Sequence, residues 1–150
     1  MSFLLDTNVV SEWVKAQPHR GVVAWVAAVD EDQVFISVVT LAELRYGIER
    51  MTRGSRRNRL TQWLLEELPL RFEGRILLID HIVADVWGKV VARSEAAGRP
   101  ISAMDAFIAA TAESRDLTLI TRNVSDFEAS IKSIINPWVN EEGPPGAVAP

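Results

Sequence analysis

Four short apolar runs decide what this chain can fold into: Phe3–Leu5, Val34–Ser37, Arg75–Ile79 and Leu117–Ile120. None alternates apolar with polar residues, so each reads as a strand covered on both faces. Between them the period changes to that of helices. Leu41, Leu44, Ile48 and Met51 draw one apolar stripe, Leu60, Trp63, Leu64 and Leu68 a second, and Val83, Val86, Val90 and Val91 a third. The alanine-rich stretch from Ser102 to Asp116 predicts a fourth helix. Strands alternating with helices predict an α/β fold, a sandwich of helices around a central, mostly parallel sheet of four or five strands.

One such sheet and its two helical layers suit 150 residues, and no repeat or internal boundary divides the chain. The ordered domain is predicted over residues 1–139. Residues 140–150, with three of the seven prolines, are expected to be a disordered tail. No apolar run reaches the roughly 20 residues that span a bilayer, and no secretory signal opens the chain, so no membrane contact is expected. Zero cysteines remove disulfides, thiolate metal sites and a cysteine nucleophile, which suits the cytoplasm. With only His19 and His81 as imidazoles, any metal would sit on oxygen ligands, Mg²⁺ or Mn²⁺ above all. A net charge of −4 argues against a generally basic nucleic-acid binder. The exception is an arginine cluster from Arg45 to Arg59, in which Arg45, Arg50 and Arg53 are candidates for RNA phosphate contact.

Sites in open α/β sheets form outside the carboxyl ends of the strands. Asp6, Thr7 and Asn8 follow the first strand, and Thr121, Arg122 and Asn123 follow Leu117–Ile120. Glu43 lies just after the second strand, and Asp105 just after the break at Gly98-Arg99-Pro100. Each acid also has a structural explanation. Thr40-x-x-Glu43 fits a capping box, Ser102-x-x-Asp105 nearly does, and Asp6 could cap a helix starting near Asn8. Two details favour a site. Asp105 shares a helix face with Ile108, Ala109 and Ala112, and Glu43 has Gly47 beside it at i+4. Two carboxylates 4 Å apart repel by about 4 kcal/mol at an effective dielectric near 20, so a converging set would call for a divalent cation.

The pieces LLDTNVVSE (Leu4–Glu12), ISVVTLAELRYGIE (Ile36–Glu49), GRPISAMDAFIAATA (Gly98–Ala112), LTLITRNVSDFE (Leu117–Glu128) and INPW (Ile135–Trp138) resemble, in this order, the PIN-domain ribonucleases. Within them the chain is similar to the VapC-type toxins of toxin–antitoxin pairs. With VVAWV at Val22–Val26, the FitB branch is the best match. The resemblance implies a PIN-like α/β/α sandwich and a metal-dependent endoribonuclease that leaves 3′-hydroxyl and 5′-phosphate ends. It maps catalytic acids onto Asp6, Glu43 and Asp105, with Mg²⁺ or Mn²⁺ on Asp6 and Asp105 and Glu43 as ligand or base. Thr7, Asn8 and Thr121 would support them. The fourth acidic position reads Asn123, which brings no charge, and Asp126 three residues on is the other candidate.

The same resemblance implies an RNA substrate, a small antitoxin that covers the groove and carries the DNA recognition, and a homodimer that enters a higher assembly with it. The helices bearing Trp63 and Trp87 are the candidate dimer surfaces, against the plainer reading of both as core residues. Two alternatives remain at this point. A haloacid-dehalogenase-like phosphatase would need Asp where Asn8 stands. A PIN-like module that binds RNA or protein without cutting is kept open by Asn123.

Overall fold

A computed structural model describes residues 1–139; the predicted tail, 140–150, lies outside the described residues. Five strands, β1 (Phe3–Leu5), β2 (Val34–Ser37), β3 (Ile76–Leu77), β4 (Thr118–Ile120) and β5 (Ile134–Ile135), form one sheet in the order β3-β2-β1-β4-β5. Every pairing is parallel. The helices are α1 (Thr7–Trp13), α2 (Arg20–Ala28), α3 (Val38–Glu49), α4 (Ser55–Gln62), α5 (Leu68–Arg71), α6 (His81–Ala96), α7 (Ala103–Ser114) and α8 (Val124–Phe127). Among the described residues no helix is long and apolar enough to cross a membrane.

Because successive strand residues point to opposite faces, the continuous apolar runs feed two cores at once. On one side Phe3, Leu5, Ile36 and Ile120 pack with Val9, Val10, Val22, Trp25, Leu44, Ile48, Leu64, Leu68 and Phe72. On the other, Leu4 and Leu119 pack with Val39, Val83, Val90, Phe127 and the small face of α7, Ala106, Ile108, Ala109, Ala110 and Ala112. Trp25 meets the Phe3 ring edge-on at 5.1 Å between centroids. The alternation read in the sequence is therefore the sandwich itself, with both faces of the sheet dry.

The departures have local causes. The strand expected at Arg75–Ile79 keeps only Ile76 and Leu77. Gly74, at φ 75°, turns the chain ahead of it, and the Arg75 guanidinium leaves to bond the carbonyls of Glu31 and Val34 at 2.6 Å. β5 was not expected as a strand, since two residues have no period to read. Its edge position comes from pairing Leu119 with Ile134 and Ile120 with Ile135. Helix α3 starts directly at Val38 with Ser37 as its cap, the Ser37 hydroxyl taking the Val39 N–H at 3.0 Å. Thr40 is thus inside the helix, and the expected Thr40–Glu43 capping box is not formed. The second stripe runs on through a π-helical stretch, Trp63–Glu67, between α4 and α5. Pro69 has no N–H to return to Leu65, and the wider turn ahead of it accommodates that. Trp63 packs against the first core, and Trp87 stacks on Phe107 at 5.4 Å with its N–H on the Ala103 carbonyl; both are partly buried.

One close approach fixes the sheet's far edge. At Gly21 an added Cβ would stand 2.2 Å from the Pro137 carbonyl oxygen, so only glycine lets the start of α2 meet the segment after β5. Gly21→Ala is expected to lower stability by about 1–3 kcal/mol. Gly88→Ala, in α6 where a Cβ meets nothing within 4 Å, should leave stability unchanged or raise it by up to about 1 kcal/mol. Urea denaturation of both variants checks this, and equal midpoints would show that the clash is relieved without loss.

Candidate active site

The parallel pairing brings the carboxyl ends of β1 and β4 side by side. Phe3, Leu4 and Leu5 stand opposite Thr118, Leu119 and Ile120, and the Asp6 N–H continues the ladder onto the Ile120 carbonyl at 2.9 Å. Asp6 and Thr121 are therefore neighbours although 115 residues apart. Asp6 caps α1 through Oδ1, which accepts the Thr7 N–H at 2.8 Å. Its Oδ2 accepts the Thr121 hydroxyl at 2.8 Å and the Asn8 amide at 3.2 Å. The cap uses one oxygen, and the other ties Asp6 to the end of β4 and to α1.

Asp6 is 4% exposed, and burial pushes its pKa up to about 6. The Thr121 and Thr7 bonds oppose that rise, while the charges of Asp105 and Glu43 add to it. The Asp105 carboxyl, half-buried in the first turn of α7, is raised as well. Its burial is the largest cause, and the charges of Asp126 and Glu43 add to it against the Ser102 bond. Ser102 caps α7, its hydroxyl taking the Asp105 N–H at 3.2 Å. Glu43 reaches the same place from α3. Its Oε1 accepts the Thr7 hydroxyl at 2.6 Å, and Thr40 Oγ1 stands 3.1 Å from that hydroxyl. Sequence reasoning missed Thr40 as a support because it had given Thr40 to a cap. Its position one helical turn before Glu43, facing Thr7, was the available signal.

Asn123 and Asp126 are separated by these contacts. Asn123 is exposed and begins α8, its backbone N–H donating to Thr121 Oγ1 at 3.0 Å, with no side-chain capping bond. Asp126, one turn on, lines a cleft with Asp105, Ser102, Arg99 and Ser125. Its charge is felt by Asp105.

Of the arginines singled out in the sequence, Arg45 is paired with Glu49 at 3.3 Å and Arg50 lies over the Tyr46 ring at 5.4 Å. Arg53 is exposed. The cationic side chains that line the groove beside Glu43 are instead Lys15, Arg56 and Arg59. They share it with Thr7, Gly47, Ile48, Leu60 and Trp63.

The donors gathered at these strand and helix ends are carboxylates and hydroxyls, which suit a hard divalent cation. Two carboxylates with raised pKa values, each partly raised by its neighbours' charges, are the electrostatic condition that a cation relieves. Among the described residues no three acidic or histidine side chains stand close enough to enclose an ion by themselves. The set therefore fits an ion held by one or two carboxylates and completed by water, as Mg²⁺ accepts.

Known proteins carry the same pattern. The family model described as PIN domain matches residues 3–129. Toxin FitB of Neisseria gonorrhoeae is 38% identical over 135 residues, 90% of this chain and 97% of that protein. VapC ribonuclease Y4jK of Sinorhizobium fredii is also 38% identical over 135 residues, covering 90% and 96%. The solved structure of FitAB bound to an IR36 DNA fragment superposes with a TM-score of 0.85 at 36% identity, over 91% of this chain and 95% of that one. With the strand-end acids in place and nearly the whole described chain matched, this protein belongs to the PIN-domain family.

Proposed function

We propose that this chain is the toxin of a toxin–antitoxin pair, an endoribonuclease that hydrolyses RNA phosphodiesters with Mg²⁺ or Mn²⁺ and is inhibited by a bound antitoxin. The observation that carries it is the approach of Asp6, Glu43 and Asp105 from three separate elements to one sheet edge, where Asp6 feels the charges of the other two and Asp105 that of Glu43. The ribonuclease and toxin names of the relatives, matched almost end to end, support it. A partner protein is supported by the FitAB complex, which sits on DNA, whereas this chain is net acidic. DNA contact is accordingly assigned to the partner.

Asp6 and Asp105 would hold the ion, with Glu43 as the base. Such an ion activates a water and neutralises charge on the phosphate that the water attacks. The chain's own groups do the positioning. Thr121, Asn8 and the Thr7 N–H keep Asp6 from rotating away. The Thr7 hydroxyl occupies Glu43 Oε1 and leaves Oε2 to accept a proton from, or orient, the attacking water. Asp126 adds negative charge beside Asp105 and takes the fourth acidic place that Asn123 leaves uncharged. The groove beside Glu43, apolar at Ile48, Leu60 and Trp63 and lined by Arg56 and Arg59, offers the antitoxin a surface that blocks access to the acids. Pairing of two copies is part of the same reading. Leu70 and Ile82, 73% and 54% exposed, are apolar surface available for it.

Asp6→Asn is expected to abolish cleavage of total RNA by the purified protein, and excess EDTA to do the same to the wild type. Cleavage surviving either change sinks the mechanism. In the absence of cleavage by the wild type, a Mn²⁺ titration separates the remaining readings. Tight binding lost in Asp105→Asn keeps a metal site, and no measurable binding favours a PIN-like module that does not cut.

The raised pKa of Asp6 gives a second expectation. Its proton is held more tightly in the folded than in the unfolded chain. The stability it contributes is therefore fully present below the ordinary value of 3.8 and is lost as pH rises through about 6. At pH 7 without metal the ionised carboxylate costs about 3 kcal/mol by this linkage. The metal-free melting temperature should fall between about pH 4 and 6.5, Asp6→Asn should flatten that fall, and Mn²⁺ should restore the wild type mainly above pH 6. Parallel melting curves for wild type and Asp6→Asn across that range would contradict it.

A further inference from the structure

Beside the acids the structure holds one arginine in a way that the cleavage scheme does not use. Arg122 directly follows Thr121, whose hydroxyl grips Asp6. Its backbone is fixed on both sides. The N–H donates to Asn8 Oδ1 at 3.2 Å, and the carbonyl accepts from Asn136 Nδ2 at 3.4 Å. Asn8 is the same residue whose amide bonds Asp6 Oδ2, and Asn136 in turn accepts the Trp138 N–H at 3.0 Å. The Arg122 guanidinium lies over the Trp138 ring at 5.5 Å, and that ring is backed by His19 at 6.2 Å.

An exposed arginine normally wags freely and contributes little. This one is tied at its backbone to the acid cluster and at its side chain to an aromatic stack, yet no carboxylate among the described residues forms an ion pair with it. The other arginine on this edge, Arg99, is committed to Glu128 at 3.1 Å and to the Ser125 carbonyl at 2.7 Å. An acidic centre that must accept a polyanion needs a cation at its rim, placed in advance and still free to bond phosphate.

We propose that Arg122, presented by Trp138 and Asn136, is a substrate-binding residue that grips a backbone phosphate of the RNA. This rests on the ribonuclease reading and adds to it a specific anchoring point on the β5 side of the acids. The part played by the Asn-Pro-Trp segment after β5 is then to hold that cation in place.

Two measurements on the full chain test it. In the Asp6→Asn background, binding of a labelled single-stranded RNA pool is followed by fluorescence anisotropy between 50 and 300 mM salt; with Asp6 intact, kcat and KM are measured on the same RNA. Arg122→Gln should weaken binding about tenfold or more and reduce the slope of log affinity against log salt by about 0.7, the share of one single-strand phosphate. It should raise KM correspondingly, with kcat within about twofold and Mn²⁺ binding unchanged. Arg122→Lys, which keeps the charge but not the planar stack, should keep the salt slope and fall between the two in affinity. Unchanged affinity and slope in Arg122→Gln would overturn the proposal. So would a fall in kcat at constant KM, which would make Arg122 a support of the acids. If the parent protein neither binds nor cleaves RNA, it is the ribonuclease reading that fails.

Discussion

The ladder bond from Asp6 N–H to the Ile120 carbonyl is the contact on which the site depends. It extends the β1–β4 pairing one residue past the strands and sets Asp6 beside Thr121, where two hydroxyl and amide donors can reach one carboxylate oxygen. A carboxylate this buried would be costly without such partners. Its neighbours Leu4, Leu5, Leu119 and Ile120 are almost fully enclosed, so the strand ends cannot relax to release it. Helix α1 starts immediately afterwards, with Asp6 as its cap, and carries Thr7 to Glu43. One buried acid thus couples the central pair of strands, the first helix and the acid of α3.

Much of this was legible in the sequence. The two central strands were readable because both of their faces are buried, which gives mainly apolar runs without alternation, and Val34–Ser37 is found with the bounds read from it. The helical stripes survived for the same reason: Leu44, Ile48, Val83 and Val90 are buried as their spacing required. The small face of α7 was visible as Ile108, Ala109 and Ala112, and it explains why Asp105 lies half-buried at the head of that helix. The resemblance supplied what no periodicity could, namely that acids far apart in the chain belong to one edge.

What was not legible depends on contacts between distant segments. A capping box is a local pattern, and Thr40-x-x-Glu43 satisfied it. Where a helix begins, however, is decided by where the preceding strand ends, and β2 ends at Ser37 with a hydroxyl suited to the cap. β5 and the π-helical stretch have no sequence period of their own. The first exists because Ile134 and Ile135 find a partner in β4, and the second because a proline had to be accommodated. The arginine cluster was visible as composition, but composition does not say which members are neutralised. Glu49 takes Arg45 and Arg57, leaving Arg56 and Arg59 to line the groove.

Asp126 and Asn123 differ in the same electrostatics. Asn123 is exposed and uncharged, and its contact with Thr121 is through the backbone N–H, so it adds no repulsion at Asp6, the most buried carboxylate in the cluster, whose pKa burial pushes up to about 6. Asp126 instead loads Asp105, which is only half-buried and faces a cleft open to water, where part of the repulsion is screened. Asp105 then becomes the acid shared between two neighbourhoods, with Asp6 and Glu43 on one side and Asp126 on the other. In the proposed reading, a cation on Asp6 and Asp105 would relieve the buried side first, because burial amplifies the repulsion there and solvent weakens it on the other.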